Sequence, residues 1–284
     1  MKYKRGTIIY IIVILLLLIV IGILIGNILN KESKEVTIAE DFIEELLDKE
    51  IINNYKSSRE TFEDISLNKL ASKNSQIKYS VIVGNFGVDI DENYEVLGFS
   101  NKNLGVLRSK VLISEDEAKN LAINYISEIT KNDFLFKEIR NTEEKAPCYT
   151  VVFFKCKDGY PIFNQEIIAM IDKVSGKLEG YSNYLTVDKK IINEIDIKKE
   201  EAVNIAKNYF RKLDIDVQKV NDVFLSYIEN DNNELVLSYV FNMSANKSDI
   251  NKNTSNDNEA FLEKSYSVFV RADTGEIINL NLEP

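Results

Sequence analysis

Ile113-Ser-Glu-Asp-Glu-Ala-Lys-Asn-Leu-Ala-Ile-Asn-Tyr-Ile126 and, 84 positions later, Ile197-Lys-Lys-Glu-Glu-Ala-Val-Asn-Ile-Ala-Lys-Asn-Tyr-Phe210 agree without a gap at seven of fourteen positions. In the first stretch Ala118, Leu121, Ala122, Tyr125, Ile126 and Ile129 fall at i, i+3, i+4, i+7, i+8 and i+11. That spacing is one apolar stripe on a 3.6-residue period, so each stretch predicts an amphipathic helix. The match between them predicts an internal repeat.

Working outward, Ser114 and Glu117 form an S-x-x-E capping box at the start of the first helix, whereas Lys198 takes the serine position before Glu201 in the second. Strands are expected after the first helix at about Lys137–Thr142, Tyr149–Lys155, Glu166–Asp172 and Lys177–Tyr184, with turns at Lys157–Gly159 and Lys173–Gly176. After the second they are expected at Val223–Glu229, Glu234–Met243, Ser265–Ala272 and Glu276–Leu282. Each copy therefore reads as one helix packed on an antiparallel sheet of about four strands, an α+β arrangement. The run from Asn246 to Asn258 has Ile250 as its one apolar residue and reads as a polar loop between two strands.

A looser copy precedes these two. Apolar residues recur at helical spacing from about Thr37 to Tyr55, and Ile77–Val83, Phe86–Ile90 and Tyr94–Asn101 read as strands. Gly98-Phe-Ser-Asn101 sits where Gly180-Tyr-Ser-Asn183 sits in the next copy. With Asp89 matched to Asp172, Asn93 falls on Gly176, and asparagine is the next best residue for a left-handed backbone.

From Ile8 to Leu29 the chain carries no charge, and a helix of that length crosses a hydrocarbon core of about 30 Å. Lys2, Lys4 and Arg5 precede it, while Lys31, Glu32, Lys34 and Glu35 cancel after it, which places the N-terminus in the cytoplasm and the rest outside. A cleaved signal peptide is the rival, but the run exceeds the usual apolar core and no A-x-A-like site closes it. Lipoprotein processing needs a cysteine just after the run, and the chain's two cysteines are Cys148 and Cys156. Gly22 and Gly26 form a G-x-x-x-G pair on which two spans can pack as a dimer. The expected layout is a tail at 1–7, a membrane span at 8–29, a degenerate unit at 30–106 and two fuller units at 107–190 and 191–284.

Setting aside the three basic residues of the tail leaves 32 Lys and Arg against 45 Asp and Glu. Nucleic acid and anionic lipid are poor partners for so acidic an exterior. Cys148 and Cys156 bracket an extended-looking run that would hold them about 26 Å apart, far beyond the reach of a disulfide.

Gly159-Tyr-Pro-Ile-Phe-Asn164 followed by a hairpin with Asp172-Lys-Val-Ser-Gly176, all behind the Ile113–Ile126 helix, resembles the PepSY domain and the related YcdB/YcdC repeat. Ile197–Phe210 and Val268–Leu280 resemble it again, although the last unit lacks a clear Gly-x-Pro stretch. The resemblance implies extracytoplasmic, non-catalytic, protein-binding modules, found as inhibitory propeptides of proteases and in membrane-anchored germination proteins. Partners of that kind are envelope proteins: a protease, a cell-wall hydrolase or a sensor kinase. The YycH/YycI regulators share the layout of one span and an exterior domain and are the competing family.

Chemistry is mostly excluded by what the chain lacks. It has no histidine, which removes Ser-His-Asp and Cys-His catalysis and every histidine-containing zinc site. Asp89-Ile-Asp-Glu-Asn93 resembles a calcium loop only superficially, since Tyr94 stands where glycine is required and Ser100 where the bidentate glutamate belongs. No glycine-rich phosphate loop is present. No catalytic, cofactor-binding or metal-ligating residue is therefore named, and no cofactor is expected. The alternative to a binding module is an acid-only hydrolase of the cell envelope, which needs two carboxylates brought together by the fold.

Overall fold

The computed structural model describes residues 33–53, 65–69, 76–105, 110–140, 145–184, 189–213, 215–247 and 264–278. The tail, the 8–29 run and most of the 246–258 loop lie outside these. Among the described residues no helix is long and apolar enough to cross a membrane. The architecture is α+β, with three helices and thirteen strands in the described residues. The chain forms two compact units, one ending at Asn103 and one beginning at Leu104.

In the first unit α1 (Lys34–Asp48) packs on β2 (Tyr79–Val83) and β3 (Phe86–Ile90), which lie between β1 (Ile65–Lys69) and β4 (Val96–Asn101) in an antiparallel sheet. Ala39, Ile43 and Leu46 are the buried apolar side chains of the helix, and Phe42 meets Phe99 edge-on at 5.8 Å. The helix stops well before Tyr55. Glu50 takes a left-handed backbone (φ 55°), and the amides of Glu50 and Ile51 donate back to the carbonyls of Leu47 and Leu46 at 3.0 and 2.9 Å. This is a Schellman ending, in which Ile51 continues the apolar pattern without continuing the helix. Strand β1 lies where the sequence reads as polar connection, with Ser66, Asn68 and Lys69 among its five residues.

The hairpin of this unit also departs from the match expected between Asp89 and Asp172. The structural counterpart of Asp172 is Asp91, not Asp89: both carboxylates accept the amide two residues on, from Asn93 at 2.9 Å and Val174 at 3.1 Å. The left-handed residue is Tyr94 (φ 69°), not Asn93. Tyr94 is held there by stacking on Tyr79 at 5.7 Å, with the Lys34 ammonium 3.7 Å above its ring.

The second unit contains α2 (Glu115–Ile129) with β5 (Phe134–Arg140), β6 (Cys148–Lys157), β7 (Tyr160–Asp172) and β8 (Leu178–Ser182), paired antiparallel in that order. A two-residue strand, β9 (Ile191–Ile192), precedes α3 (Lys199–Lys212). Then come β10 (Ile215–Glu229), β11 (Leu235–Lys247), β12 (Lys264–Arg271) and β13 (Ile277–Ile278), again antiparallel in order. Parallel pairings of β7 with β10 and of β9 with β11 join all nine strands into one mixed sheet.

The two repeats match in detail. Ala118, Ala122 and Ile126 are the buried stripe of α2, and Ala202, Ala206 and Phe210 hold the same places in α3. Leu121 and Ile205 are only half-buried, but each meets the turn glycine of its own unit, Gly176 (φ 71°) and Gly275 (φ 73°). A β-carbon added to either glycine would lie 2.9 Å from that side chain. The Tyr149 and Tyr239 hydroxyls donate to the carbonyls of Ile113 and Ile197, both at 2.9 Å, pinning each helix start to the sheet. Even the irregularities agree, since both first strands carry a bulge at the same place, at Lys137 and at Asn221. Ser114 accepts the Glu117 amide at 3.2 Å, and Lys198 makes no such cap.

Strand limits differ from expectation in three informative places. β7 begins at Tyr160 rather than Glu166, absorbing the Gly-x-Pro stretch, and β10 begins at Ile215 rather than Val223. Bulges at Gln218 and Asn221 break the two-residue alternation that would have marked β10. β11 likewise extends through Asn246 and Lys247, so the polar segment starts later than Asn246.

Candidate functional site

Among the described residues, no group of three or more Cys, Asp or Glu side chains is placed to hold a metal. Cys148 and Cys156 are both free, and burial pushes the Cys148 thiol up to about 12, which makes it an inert core residue. Three carboxylates are held below their ordinary range. Glu234 is held by Lys190 and then Asn230, and Asp273 by Arg271. Glu166 is pushed up by burial but more strongly down by hydrogen bonds from Lys137 and Arg140. A general acid needs the opposite shift.

What the fold does build is a recognition joint. Asp158 (φ 51°) and Gly159 (φ 81°) form a two-residue turn with both residues left-handed, so β6 and β7 meet in a tight hairpin. The first residues beyond this tip, still paired with β6 at Tyr160 and Pro161, also grip the edge of the next repeat. Ile162 pairs in parallel with Tyr227 of β10, and the buried Ser226 hydroxyl donates to the Pro161 carbonyl at 2.9 Å. Pro161 faces Cys156 across the hairpin, a hairpin-tip position beside the turn, where a missing N–H is tolerated.

Side chains of the tip reach both faces of the neighbouring sheet. On one face Ile162 is buried with Tyr227, Leu235 and Leu237, and Tyr160 meets Tyr227 edge-on at 6.2 Å. On the other, Phe163 packs against Ile228, Val240 and Phe269, its ring 4.9 Å from Phe269 and 6.3 Å from Phe154. The Tyr227 hydroxyl is fully buried in this joint without a hydrogen-bond partner, and burial raises its pKa, followed by the nearby Asp158 and Tyr160. The Gly-x-Pro stretch, read from sequence as a family signature, is thus the hook between repeats.

Further along the strand the geometry changes. β11 pairs with β10 along its whole length, but among the described residues Ile162 is the one strand partner on the outer side of β10. From Asp222 to Ser226 the strand is regular, with Val223, Phe224 and Leu225 half-buried and Asp222 exposed. Asp222 bends back to accept the Val223 amide at 2.8 Å. A second polar feature sits near the end of α2. Lys155 is buried, its amine donates to the Tyr184 carbonyl, and burial lowers its pKa to about 8. Close by, the Asn183 amide is buried with its oxygen unpartnered, and its nitrogen reaches Thr130 at 3.4 Å.

With this geometry established, comparison with known proteins places the fold. The chain is similar to the YpeB C-terminal domain of Bacillus megaterium, with 20% identity and a TM-score of 0.53 over 85% of this chain and 98% of that one. A weaker match, an uncharacterized protein from Eubacterium rectale ATCC 33656, has 14% identity and a TM-score of 0.42 over 89% of this chain and 83% of that one. No protein-family model and no curated protein matches the sequence. At such identities the likeness is one of fold.

Proposed function

We propose that the chain is a membrane-anchored, extracytoplasmic binding module that modulates an envelope protein such as a protease, a cell-wall hydrolase or a sensor kinase. The observation that carries this reading is the hook. Within this chain a sheet edge already recognises an extended segment through its backbone and through both faces, which is the way such sheets take partner segments. The likeness to the YpeB C-terminal domain supports a tandem-repeat exterior of the PepSY kind behind the apolar 8–29 run. In this reading the run spans the membrane with Lys2, Lys4 and Arg5 in the cytoplasm, and Gly22 and Gly26 let two spans pair.

Two measurements test it. Protease added to intact protoplasts should remove the exterior and leave a short anchored stub, and a fully protected C-terminus would reverse the topology. Pull-down of the detergent-solubilised chain, with mass spectrometry of what accompanies it, should return an envelope protein. Hydrolysis of cell-wall material by the purified chain would instead establish the acid-only hydrolase.

A further inference from the structure

Among the described residues, the outer side of β10 is paired only at its end. Its residues run regularly from Asp222 to Tyr227, bounded on the N-terminal side by the bulges at Asn221 and Gln218 and on the C-terminal side by the hook at Tyr227. Bulges blunt an edge against strand pairing, so the regular stretch between bulge and hook is the part of this edge that still fits another strand. On its two faces lie rows that an added strand would complete: Val223 and Leu225 belong to the cluster under α3, and Phe224 to the cluster around Phe269. All three are half-buried, so each keeps some open surface for an added strand to cover.

We infer that an extended segment of a partner protein adds along Asp222–Leu225, in line with Tyr160–Ile162 and continuing the surface that the hook begins. This deepens the binding reading above and rests on it. The hook shows the recipe at the adjoining position, a backbone pairing flanked by apolar side chains on both faces. The Asp222 carboxylate holds the Val223 amide in the absence of a partner strand and must let go when one adds. Once displaced, it presents a negative charge beside the incoming backbone, on a chain with 45 acidic against 35 basic residues. The partner segment is therefore extended, apolar at alternating positions and net basic.

The probe is a labelled peptide, acetyl-Val-Lys-Val-Thr-Val-Lys-amide, titrated against the full chain in detergent micelles and followed by fluorescence anisotropy. Two further peptides carry N-methyl groups on alternate residues, in opposite registers, so that only one loses the donors facing β10. That peptide should bind about tenfold more weakly, the loss expected for one or two backbone hydrogen bonds, while its counterpart binds as the parent does. A photo-crosslinking residue at Asp222 should capture the parent peptide. Val223→Pro should abolish binding, with the circular dichroism spectrum as the check on folding.

Equal affinity of the two methylated peptides, or no binding of the parent, overturns the proposal. So does crosslinking at Asp222 that joins two copies of the chain, which would make the edge a self-association surface. An envelope protein that is captured equally by the Val223→Pro chain and is not displaced by the peptide retains the binding reading and removes this edge from it. Failure to capture any envelope protein, with the peptide result intact, does the reverse.

Discussion

The two repeats of the second unit share a frame and differ in how their edges are treated. Helix stripe, tyrosine pin, turn glycine and first-strand bulge coincide between them. Yet β10 is gripped by the hook from the preceding hairpin, whereas β5, its counterpart, pairs with β6 alone among the described residues. β5 instead carries its own charges, with Arg140 bonded to Glu138 and both Lys137 and Arg140 bonded to Glu166. The helix starts differ too, capped by Ser114 in one and by no side chain at Lys198. The lesson is that duplication preserved the core and left the margins to diverge into a joint at one edge and a charged border at the other.

The largest expected effect breaks the joint. Ile162→Ala should cost about 2–5 kcal/mol, because the side chain is buried against the next repeat. Denaturation followed by tyrosine fluorescence, in a chain without tryptophan, should then separate into two steps as the repeats uncouple. A single unshifted transition would mean that the repeats are not held together by this hook.

A smaller effect sharpens the comparison of helix starts. Ser114→Ala should cost about 1 kcal/mol, and Lys198→Ser should gain a similar amount by giving α3 the cap it lacks. The same denaturation curves check both, and equal losses from the two changes would contradict the assignment.

The smallest concerns Lys155, buried on β6 in the repeat that carries α2. Its folded pKa lies near 8, below the ordinary lysine value of 10.5, so above pH 8 the unfolded chain holds the more protons. Stability from this group therefore rises with pH between about 8 and 10.5. Cys148 and Tyr181, both raised to about 12 by burial, act in the opposite direction at high pH. They are common to wild type and Lys155→Met, so they cancel in the difference. The stability advantage of Lys155→Met over wild type should shrink steadily from pH 7 to pH 10, and a pH-independent difference would contradict the shift.

Much of this frame was legible from residues. The Ile113–Ile126 and Ile197–Phe210 stripes located both helices because an apolar face of period 3.6 has little choice but to pack on a sheet. The turn at Gly176 was equally readable, since a left-handed residue has few substitutes. Legibility failed where non-local geometry took over. The hook was visible as a motif but not as a joint, because nothing in Tyr160-Pro-Ile-Phe163 names the strand it grips. The start of β10 was hidden by two bulges, and the end of α1 by Ile51, whose apolar side chain serves the helix ending rather than the helix. Tyr94 defied the glycine rule because stacking on Tyr79 and the Lys34 ammonium hold it in place, and these lie far away in sequence.

The joint between repeats also sets how the molecule yields to force. Among the described residues the backbone pairing between the hairpin tip and β10 is a single bridge, Tyr227 to Ile162, backed by one hydroxyl bond and by apolar side chains on both faces. Such a fastening is a button rather than a zip. Load that separates the repeats falls on one point at once, so the third repeat should come away in one event, without a ladder of partly opened states. A pulling experiment with an optical trap would record it as one abrupt lengthening before either repeat unravels.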